Sequence, residues 1–406
     1  MKHRAEEPVH HWFWNQDAVD GVNWEDWDRL IQKSGRPSVF LDSRMMRAML
    51  IASDRNVAAV FWTLEGRMIG LGLVEDAQAE SVNLSSHIKS KGWFDAVSKL
   101  LHGRSGRLRF SVRVIGTVLG SGEHAIRFDS DVSPVEQISC LENNVFSSKS
   151  NWGTKVPNVA MFKDVIIPPD GIRGSEFKRW TPLEFDPEMV VYVNPEWKDF
   201  AAYMAELNTK SRTKIKRILA LSEAFEMEDW SLDQLEARGE ELIAMYRLVF
   251  ERSGFRLGSL HLGELIESKR TWGDAFTIKV YKLEGAAVGF QCAFVTREAT
   301  EAFFVGFDPE LRKSHAIYQR MLLEFIRMGI QVGSAEIHMG RTALDVKSSV
   351  GALPRRLRCE VRFRNPLAHQ IVQAFTKGYK PANIKLKRPW KETSFPVARH
   401  SKIHSI

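Results

Sequence analysis

The sequence predicts an α/β (α+β) fold made of two domains in tandem, and three observations support this. The chain has 406 residues, which at about 100 to 200 residues per domain suits two compact units. Hydrophobic residues make up 44% and charged residues 26% of the chain, a composition that excludes a disordered protein. Each half contains a predicted hairpin, a helix and further strands. We therefore expect each half to form a mixed, mainly antiparallel sheet flanked by helices.

The first half alternates β-rich runs with turns and helices. Apolar and β-branched runs flank short turns twice, which predicts two strand pairs, 57–64 with 67–74 and 108–119 with 124–128. Helices are predicted at 86–101 and at 133–145, where Ser133-Pro134 is a favourable helix start.

The second half begins after a break in periodicity at Pro168-Pro169-Asp170-Gly171. This break predicts a first domain at 1–172, a second domain at 173–376 and a tail at 377–406. Apolar residues at helical spacing predict helices at 196–224, 232–250 and 317–330. β-rich runs predict an antiparallel meander at 276–283, 287–295 and 301–307, followed by strands at 335–339 and 357–364.

The net charge of +7 lies at the carboxyl terminus. Residues 377–406 contain eight Lys or Arg and one acidic residue, so the rest of the chain is balanced and this basic tail is a candidate contact for polyanions. No apolar run approaches the roughly 20 residues of a membrane-spanning helix, and the first residues lack the features of a secretory signal. We expect a cytoplasmic protein without integral membrane insertion.

Three cysteines, odd in number and far apart in sequence, form neither a disulfide framework nor a thiolate metal site. We therefore predict no metal.

The turn between the strand at 301–307 and the helix that begins at Ile317 is the first candidate site. It carries Arg312, Lys313, Ser314, His315 and Ala316. Backbone N–H groups and the positive end of the helix dipole attract anions at such a turn, and its two cations add charge. The alternative is a solvated connection with ordinary surface cations.

A loop of small residues at 340–351 is the second candidate site, and it carries Arg341 and Lys347. Two cations six residues apart at the carboxyl end of a strand can converge on one anionic group. The alternative is that Arg341 pairs with Asp345, which leaves Lys347 in water.

A third candidate is the predicted helix at 209–217, where five of nine residues are cations. Its functional interpretation is a phosphate-facing stripe, and the alternative is a solvated helix face.

Together these segments resemble the GNAT acyltransferase superfamily, and more closely its FemAB-type branch, whose members carry two tandem GNAT-like domains. Three motifs carry the resemblance over residues 180–375. The helix motif of that branch matches Lys210, Ser211, Arg212, Ile215, Lys216 and Arg217. A strand that ends in Gly-x-Asp-Pro before a basic turn matches Gly306, Asp308, Pro309, Arg312 and Lys313. The late Lys-x-x-hydrophobic-Gly motif matches Lys347, Val350 and Gly351.

The resemblance implies an N-acyltransferase that uses acyl-CoA, such as acetyl-CoA, as its donor and holds the donor's phosphates at 312–316. The chain departs from the superfamily in one respect, because its loop contains no glycine and glycine lets a cofactor approach the backbone closely. FemAB-type proteins include enzymes that take aminoacyl groups from tRNA, so an aminoacyl-tRNA donor is an alternative. Another alternative is a non-catalytic, degenerate GNAT pair whose basic tail binds nucleic acid or an anionic membrane.

A GNAT-type reaction needs no nucleophilic side chain, because an amine attacks the thioester or ester directly. The protein contributes positioning, oxyanion donors and a base. The candidate bases are Asp308, His338 and Asp345, and the candidate acid is Tyr318. The candidate substrate-binding cations are Arg212, Arg341 and Lys347, which favours an anionic small-molecule or peptidyl amine as the acceptor.

Overall fold

The structure is a computed structural model that describes residues 8–52, 55–80, 109–146, 156–166, 177–252, 258–376 and 386–403. Its strands in chain order are β1 (Val9–Trp14), β2 (Asn56–Leu64), β3 (Arg67–Glu80), β4 (Arg109–Ile115), β5 (Ile126–Phe128), β6 (Val159–Ile166), β7 (Thr181–Glu184), β8 (Glu188–Tyr192), β9 (Glu226–Asp229), β10 (Phe276–Leu283), β11 (Ala286–Val295), β12 (Ala299–Phe307), β13 (Glu336–His338), β14 (Leu353–Arg355) and β15 (Leu357–Phe363). Its helices are α1 (Gln16–Gly21), α2 (Trp24–Lys33), α3 (Ser43–Ala52), α4 (Pro134–Glu142), α5 (Phe200–Glu206), α6 (Thr209–Leu221), α7 (Leu232–Phe250), α8 (Leu262–Trp272), α9 (Leu311–Ser314), α10 (Ile317–Val332), α11 (Leu344–Ser349), α12 (Pro366–Thr376) and α13 (Phe395–Ile403).

The strands form two mixed sheets, which confirms the predicted α/β class. The first sheet has the order β1-β2-β3-β4-β6-β15-β7, with β5 also bonded to β3, and the second has the order β14-β8-β13-β12-β11-β10-β9. Each sheet contains a hairpin, a third antiparallel strand and then a parallel neighbour, β4 with β6 in the first and β12 with β13 in the second. The two sheets therefore repeat one construction.

The predicted hairpin at 57–74 is confirmed, and its turn residues Glu65 and Gly66 both have positive φ, 51° and 76°. The second predicted pair is wrong, because β4 and β5 do not pair with each other and both bond to β3. β3 is 14 residues long, so β4 bonds to its last seven residues and β5 to residues 70–72. Because β2 occupies the other edge of β3, β4 and β5 follow each other along one edge, and the Gly-rich segment connects them there.

Helix capping explains a second difference. The single helix predicted at 196–224 is two helices, α5 and α6, because Asn208 caps the second one. Its side chain accepts a hydrogen bond from the Ser211 N–H at 2.9 Å. The helices α4, α7 and α10 lie where they are predicted, whereas the predicted helix at 86–101 lies outside the described residues.

The two halves share one apolar core. Phe40 from the first half packs against Phe303 of β12 with ring centroids 5.9 Å apart, and α3 packs against α8. The buried Arg55 guanidinium bonds to Glu75 at 3.0 Å and also to Glu264 of α8. The halves are therefore joined by both apolar packing and a buried ion pair.

The predicted domain boundary at residue 172 stays a prediction. Two strands from beyond it, β7 and β15, belong to the first sheet, where β15 pairs with β6 and with β7. The chain thus passes from the first sheet to the second after β7 and returns to the first sheet at β15.

The described part of the basic tail, 386–403, packs against the second half. The buried Trp390 indole donates a hydrogen bond to the Gly351 carbonyl at 2.7 Å and lies beside Trp197 and Tyr203. A β-carbon at Gly351 would overlap this ring, and the φ of Gly351 is 106°, so glycine is required there. This part of the tail is an integral element of the second half.

Within the described ranges, no helix combines the length and the apolar composition that a bilayer crossing demands. The same residues bring together no group of three or more His, Cys, Asp or Glu side chains with the arrangement of a metal site.

Candidate functional site

The second sheet opens between β12 and β13. These parallel strands are paired at three positions, the last of which joins Glu301 to His338. Beyond it β12 continues to Phe307 beside β11, with a register shift at Cys292, whereas the chain after β13 stays bonded to β8. The strands therefore separate, and the closed end of the opening lies at Glu301 and His338.

His338 lies among carboxylates at this closed end. Its Nδ1 is 2.7 Å from Glu301 Oε1, and its Nε2 is 2.9 Å from Glu336 Oε2. Burial acts to lower the pKa of His338, but Glu301, Glu188 and these bonds raise it well above the usual 6.5. The neighbouring carboxylates therefore favour the imidazolium form of the ring, which cannot accept a proton. Its surroundings give the predicted role of His338 as a base no support.

Glu188, the first residue of β8, is fully buried beside this cluster. Its Oε1 accepts a hydrogen bond from Ser121 at 3.1 Å, whereas its Oε2 has no hydrogen-bond partner in the described part of the chain and lies 3.7 Å from Arg355 Nη1. Burial raises the pKa of Glu188, although His338 and Arg355 oppose this shift. Ser121 belongs to the first half, so both halves contribute to the site.

Lys347 of α11 is buried, with 4% of its surface exposed, and it is close to Glu188. Burial lowers its pKa to about 7, and Glu188 only partly opposes that shift. The amino group can therefore gain or lose a proton near neutral pH. The predicted alternative, in which Lys347 lies in water, is wrong.

Arg341 forms an ion pair across the interface with Asp164 of β6, and not with Asp345. Asp164 is fully buried and also accepts bonds from Lys163 at 2.7 Å and from the Gly122 N–H at 2.9 Å. This pair fixes the loop that follows β13 against the first sheet. Whether Arg341 also binds an acceptor stays a prediction.

The predicted donor loop, residues 312–316, directly precedes α10. Arg312, Lys313 and Ser314 are exposed, His315 is partly exposed, and Ala316 is buried. Ala316 has φ 50° and ψ 35°, so an alanine forms the left-handed turn that glycine usually supplies. The first N–H groups of the 16-residue helix α10 follow this turn and have no acceptor within the helix. The loop thus makes its left-handed turn without glycine, and its role in donor binding stays a prediction.

The other predicted site residues lie apart from the buried cluster. Asp308 accepts a hydrogen bond from the Glu310 N–H at 2.9 Å, and Tyr318 stacks on Phe307. Burial raises the pKa of Tyr318 above its usual 10, which makes it a weaker acid. Asp345 is exposed and 3.3 Å from Lys387, and Arg212 of α6 bonds to the Thr209 hydroxyl at 3.3 Å.

Sequence reasoning missed Ser121, Asp164, Glu188, Glu301, Glu336 and Arg355. Glu188 and Glu301 gave a signal, because each is the only acid in an otherwise largely apolar strand, β8 (EMVVY) and β12 (ATEAFFVGF). A buried charge needs a partner, so such an acid is worth attention. Ser121 gave no signal in the sequence.

No family model matches the chain, and no curated protein matches it either. The two sheets, each with a hairpin, a third strand and a parallel neighbour, define a fold of two similar halves in tandem. FemX has this fold, with a TM-score of 0.50 and 10% identity over 87% of this chain and 98% of the FemX chain.

Two further solved structures are similar. The C-terminal domain of a putative lysylphosphatidylglycerol synthetase from Agrobacterium fabrum aligns with a TM-score of 0.47 and 11% identity, over 90% of this chain and 100% of its own. A tandem GNAT protein from the clavulanic acid biosynthesis pathway aligns with a TM-score of 0.44 and 9% identity, over 88% and 99%. The chain thus shares its fold with FemX, which confirms the predicted FemAB-like fold.

Proposed function

We propose that the chain is an N-acyltransferase that transfers an acyl group from a CoA-type thioester to an amine. The observation that carries the proposal is the relation of the donor loop to the opening in the second sheet. β12 runs from the closed end of the opening at Glu301 to Phe307, next to the loop, and this stretch spans about 20 Å at about 3.3 Å per residue. A donor whose phosphates lie at the start of α10 can extend along β12 to the buried charges, which suits a long, thin carrier such as CoA.

The acceptor amine is proposed to bind between the two sheets. Lys347 and Arg341 from the second half and Ser121 and Asp164 from the first half surround this region. In this arrangement the amine attacks the acyl carbon directly and the protein supplies positioning and charge. We further propose that the acceptor is anionic and that it binds near Arg341 and Lys347, which already have the carboxylates of Asp164 and Glu188 as neighbours.

Replacement of both Arg312 and Lys313 by Ala should weaken CoA binding at least about tenfold. Charge-assisted bonds to phosphate contribute roughly 1.5 to 3 kcal/mol each, and both side chains are exposed, so the melting temperature should barely change. Calorimetric titration with CoA and acetyl-CoA measures this.

The matched control is Lys178→Ala with Arg179→Ala, an exposed pair of adjacent cations outside the donor loop. This control should bind CoA as the parent does. If the Arg312 and Lys313 variant also keeps the parent affinity, these residues are excluded from the donor site.

A second candidate function, in which the donor is aminoacyl-tRNA, is favoured by a basic surface. We define this surface as Lys210, Arg212, Lys214, Lys216, Arg217, Lys387, Arg388 and Lys391. Asn208 connects its two parts, because its backbone N–H bonds to the Pro389 carbonyl at 2.9 Å and its side chain to the Arg388 carbonyl at 3.0 Å. The first turn of α6 contains no acid, and cations at a helix N-terminus are unfavourable for the helix itself. Such a placement is explained by a polyanionic partner.

Replacement of Lys214, Lys216 and Lys387 by Ala tests this second candidate. If the basic surface contacts tRNA phosphates, affinity for bulk tRNA should fall. The slope of log affinity against log salt concentration should also become less negative by about two. Filter binding across a salt titration measures both quantities, with the Lys178 and Arg179 variant as the control. An unchanged slope would exclude the basic surface. Binding of tRNA without turnover of any donor would instead favour the non-catalytic alternative.

A further inference from the structure

Glu188 differs from the other carboxylates of the buried cluster in how its oxygens are used. Glu301 and Glu336 both form ion pairs with the His338 ring, and Glu336 also pairs with Arg355. Among the described residues, Oε1 of Glu188 accepts a hydrogen bond only from the Ser121 hydroxyl and Oε2 accepts none. A fully buried carboxylate with an unbonded oxygen is costly, which points to a role outside folding.

Positively and negatively charged side chains surround Glu188. It faces His338 of β13 at 4.0 Å, Arg355 of β14 at 3.7 Å, and the nearby Lys347 of α11. Glu301 of β12 and Asp164 of β6 are the carboxylates that act on it. These charges come from five elements of both halves, so Glu188 lies at the centre of the proposed reaction region.

The carboxylates of the cluster also differ in proton affinity. Burial favours the neutral form of each, but bonds from His338 and Arg355 hold the pKa of Glu336 at about 2, and His338 lowers the pKa of Glu301. The pKa of Glu188 is instead raised by its burial. A base is most effective when its pKa approaches the working pH, so Glu188 is better suited than its neighbours to accept a proton.

We propose that Glu188 is the general base of the acyl transfer and that the unbonded Oε2 accepts the proton of the attacking amine. This inference rests on the proposed function. The N–C bond of the amide forms and the bond from the acyl carbon to the leaving sulfur or oxygen breaks. The amine proton moves to Glu188, and the leaving group takes a proton from the Lys347 ammonium. Transfer of the proton from Glu188 to Lys347 then restores both groups, so protons balance without an external acid.

Glu188→Gln tests the proposal, because it keeps the shape of the side chain and removes the basic oxygen. The full chain is assayed with acetyl-CoA and with bulk aminoacyl-tRNA as donors, and with a panel of amino acids and amino sugars as acceptors. We expect kcat to fall about 100-fold or more, the acid limb of the pH–rate profile to disappear, and the melting temperature to stay constant or rise.

Glu264→Gln is the matched control, because Glu264 is equally buried but both its oxygens are bonded, one to Arg55 and one to the His261 N–H at 3.1 Å. This control should lower the melting temperature and leave kcat near the parent value. A structural role for Glu188 would make Glu188→Gln behave in the same way.

The outcomes separate the inference from the proposed function. If the parent chain consumes neither donor, the proposed function fails and the inference fails with it. If the parent is active and Glu188→Gln keeps its rate within about twofold, or lowers the melting temperature as Glu264→Gln does, Glu188 is not the base and the proposed function stands. Lost turnover and a flat acid limb in a stable protein support the proposal.

Discussion

Lys347→Met should reduce acyl transfer at least about 100-fold while the fold becomes more stable. Methionine keeps most of the length of the side chain and removes its charge, and Lys347 is almost fully buried. If Lys347 only orients an anionic acceptor, the variant should have a raised KM for the acceptor and an unchanged kcat. If Lys347 protonates the leaving group, the variant should have a lowered kcat. Steady-state kinetics of the variant distinguishes the two roles.

The gain in stability should depend on pH in a defined direction. The pKa of Lys347 is about 7 in the folded chain and near 10.5 for an ordinary lysine. Below pH 7 both states are protonated, so the folded state bears the full penalty of a buried ammonium. Between pH 7 and 10.5 the unfolded state binds more protons, so the stability of the parent rises with pH. The advantage of Lys347→Met, on the order of a few kcal/mol below pH 7, should therefore shrink towards pH 10.

Urea unfolding of parent and variant at pH 6, 8 and 10 measures this dependence. Lys282→Met is the control, since Lys282 pairs with Glu228 at 2.6 Å on a partly exposed surface. That control should change stability little at any of the three pH values. A loss of stability in Lys347→Met at all three would show that Lys347 is a structural partner of Glu188.

Trp390→Ala should reduce the free energy of unfolding by about 3 to 5 kcal/mol, the usual range for a buried tryptophan. The substitution removes the ring that fills the space over Gly351 and the indole bond to its carbonyl. It also disturbs the segment that holds Lys347, because Lys387 in the same tail bonds through its N–H to the Ser348 hydroxyl at 3.0 Å. Activity should therefore fall together with stability.

Chemical denaturation with circular dichroism detection measures this loss. Leu367→Ala provides the control, because that side chain is 66% exposed and its removal should change stability by less than about 0.5 kcal/mol. If Trp390→Ala unfolds at the parent midpoint, the tail is not part of the fold. Deletion of the whole tail would then become an acceptable test of polyanion binding.

Local signals made much of the fold predictable. The Glu65-Gly66 turn, the Ser133-Pro134 helix start and the meander at 276–307 each depend on neighbouring residues, and each is present as predicted. Strand partners were harder to predict. β5 bonds to β3 instead of β4, and β15 joins the first sheet, because a strand pairs with whichever edge the packing presents.

In the candidate site, too, some features follow from neighbouring residues and others depend on distant segments. The motif with Lys347 and Gly351 predicted a candidate site, but the residues around Lys347 come from distant segments. Glu188 is more than 150 residues away in sequence and Ser121 more than 200. Their contact with the site results from the docking of the two halves, which local spacing does not encode.

By itself, the sequence determined the α/β class, most helices and strands, the turn before α10 and the FemAB-type motifs, because each depends on residues close together in the chain. Only the tertiary structure decided the partner of Arg341, the burial of Lys347, the carboxylate neighbours of His338 and the surroundings of Glu188. The physical reason is that burial and opposing charges set proton affinity. Both arise only when the two sheets are packed together.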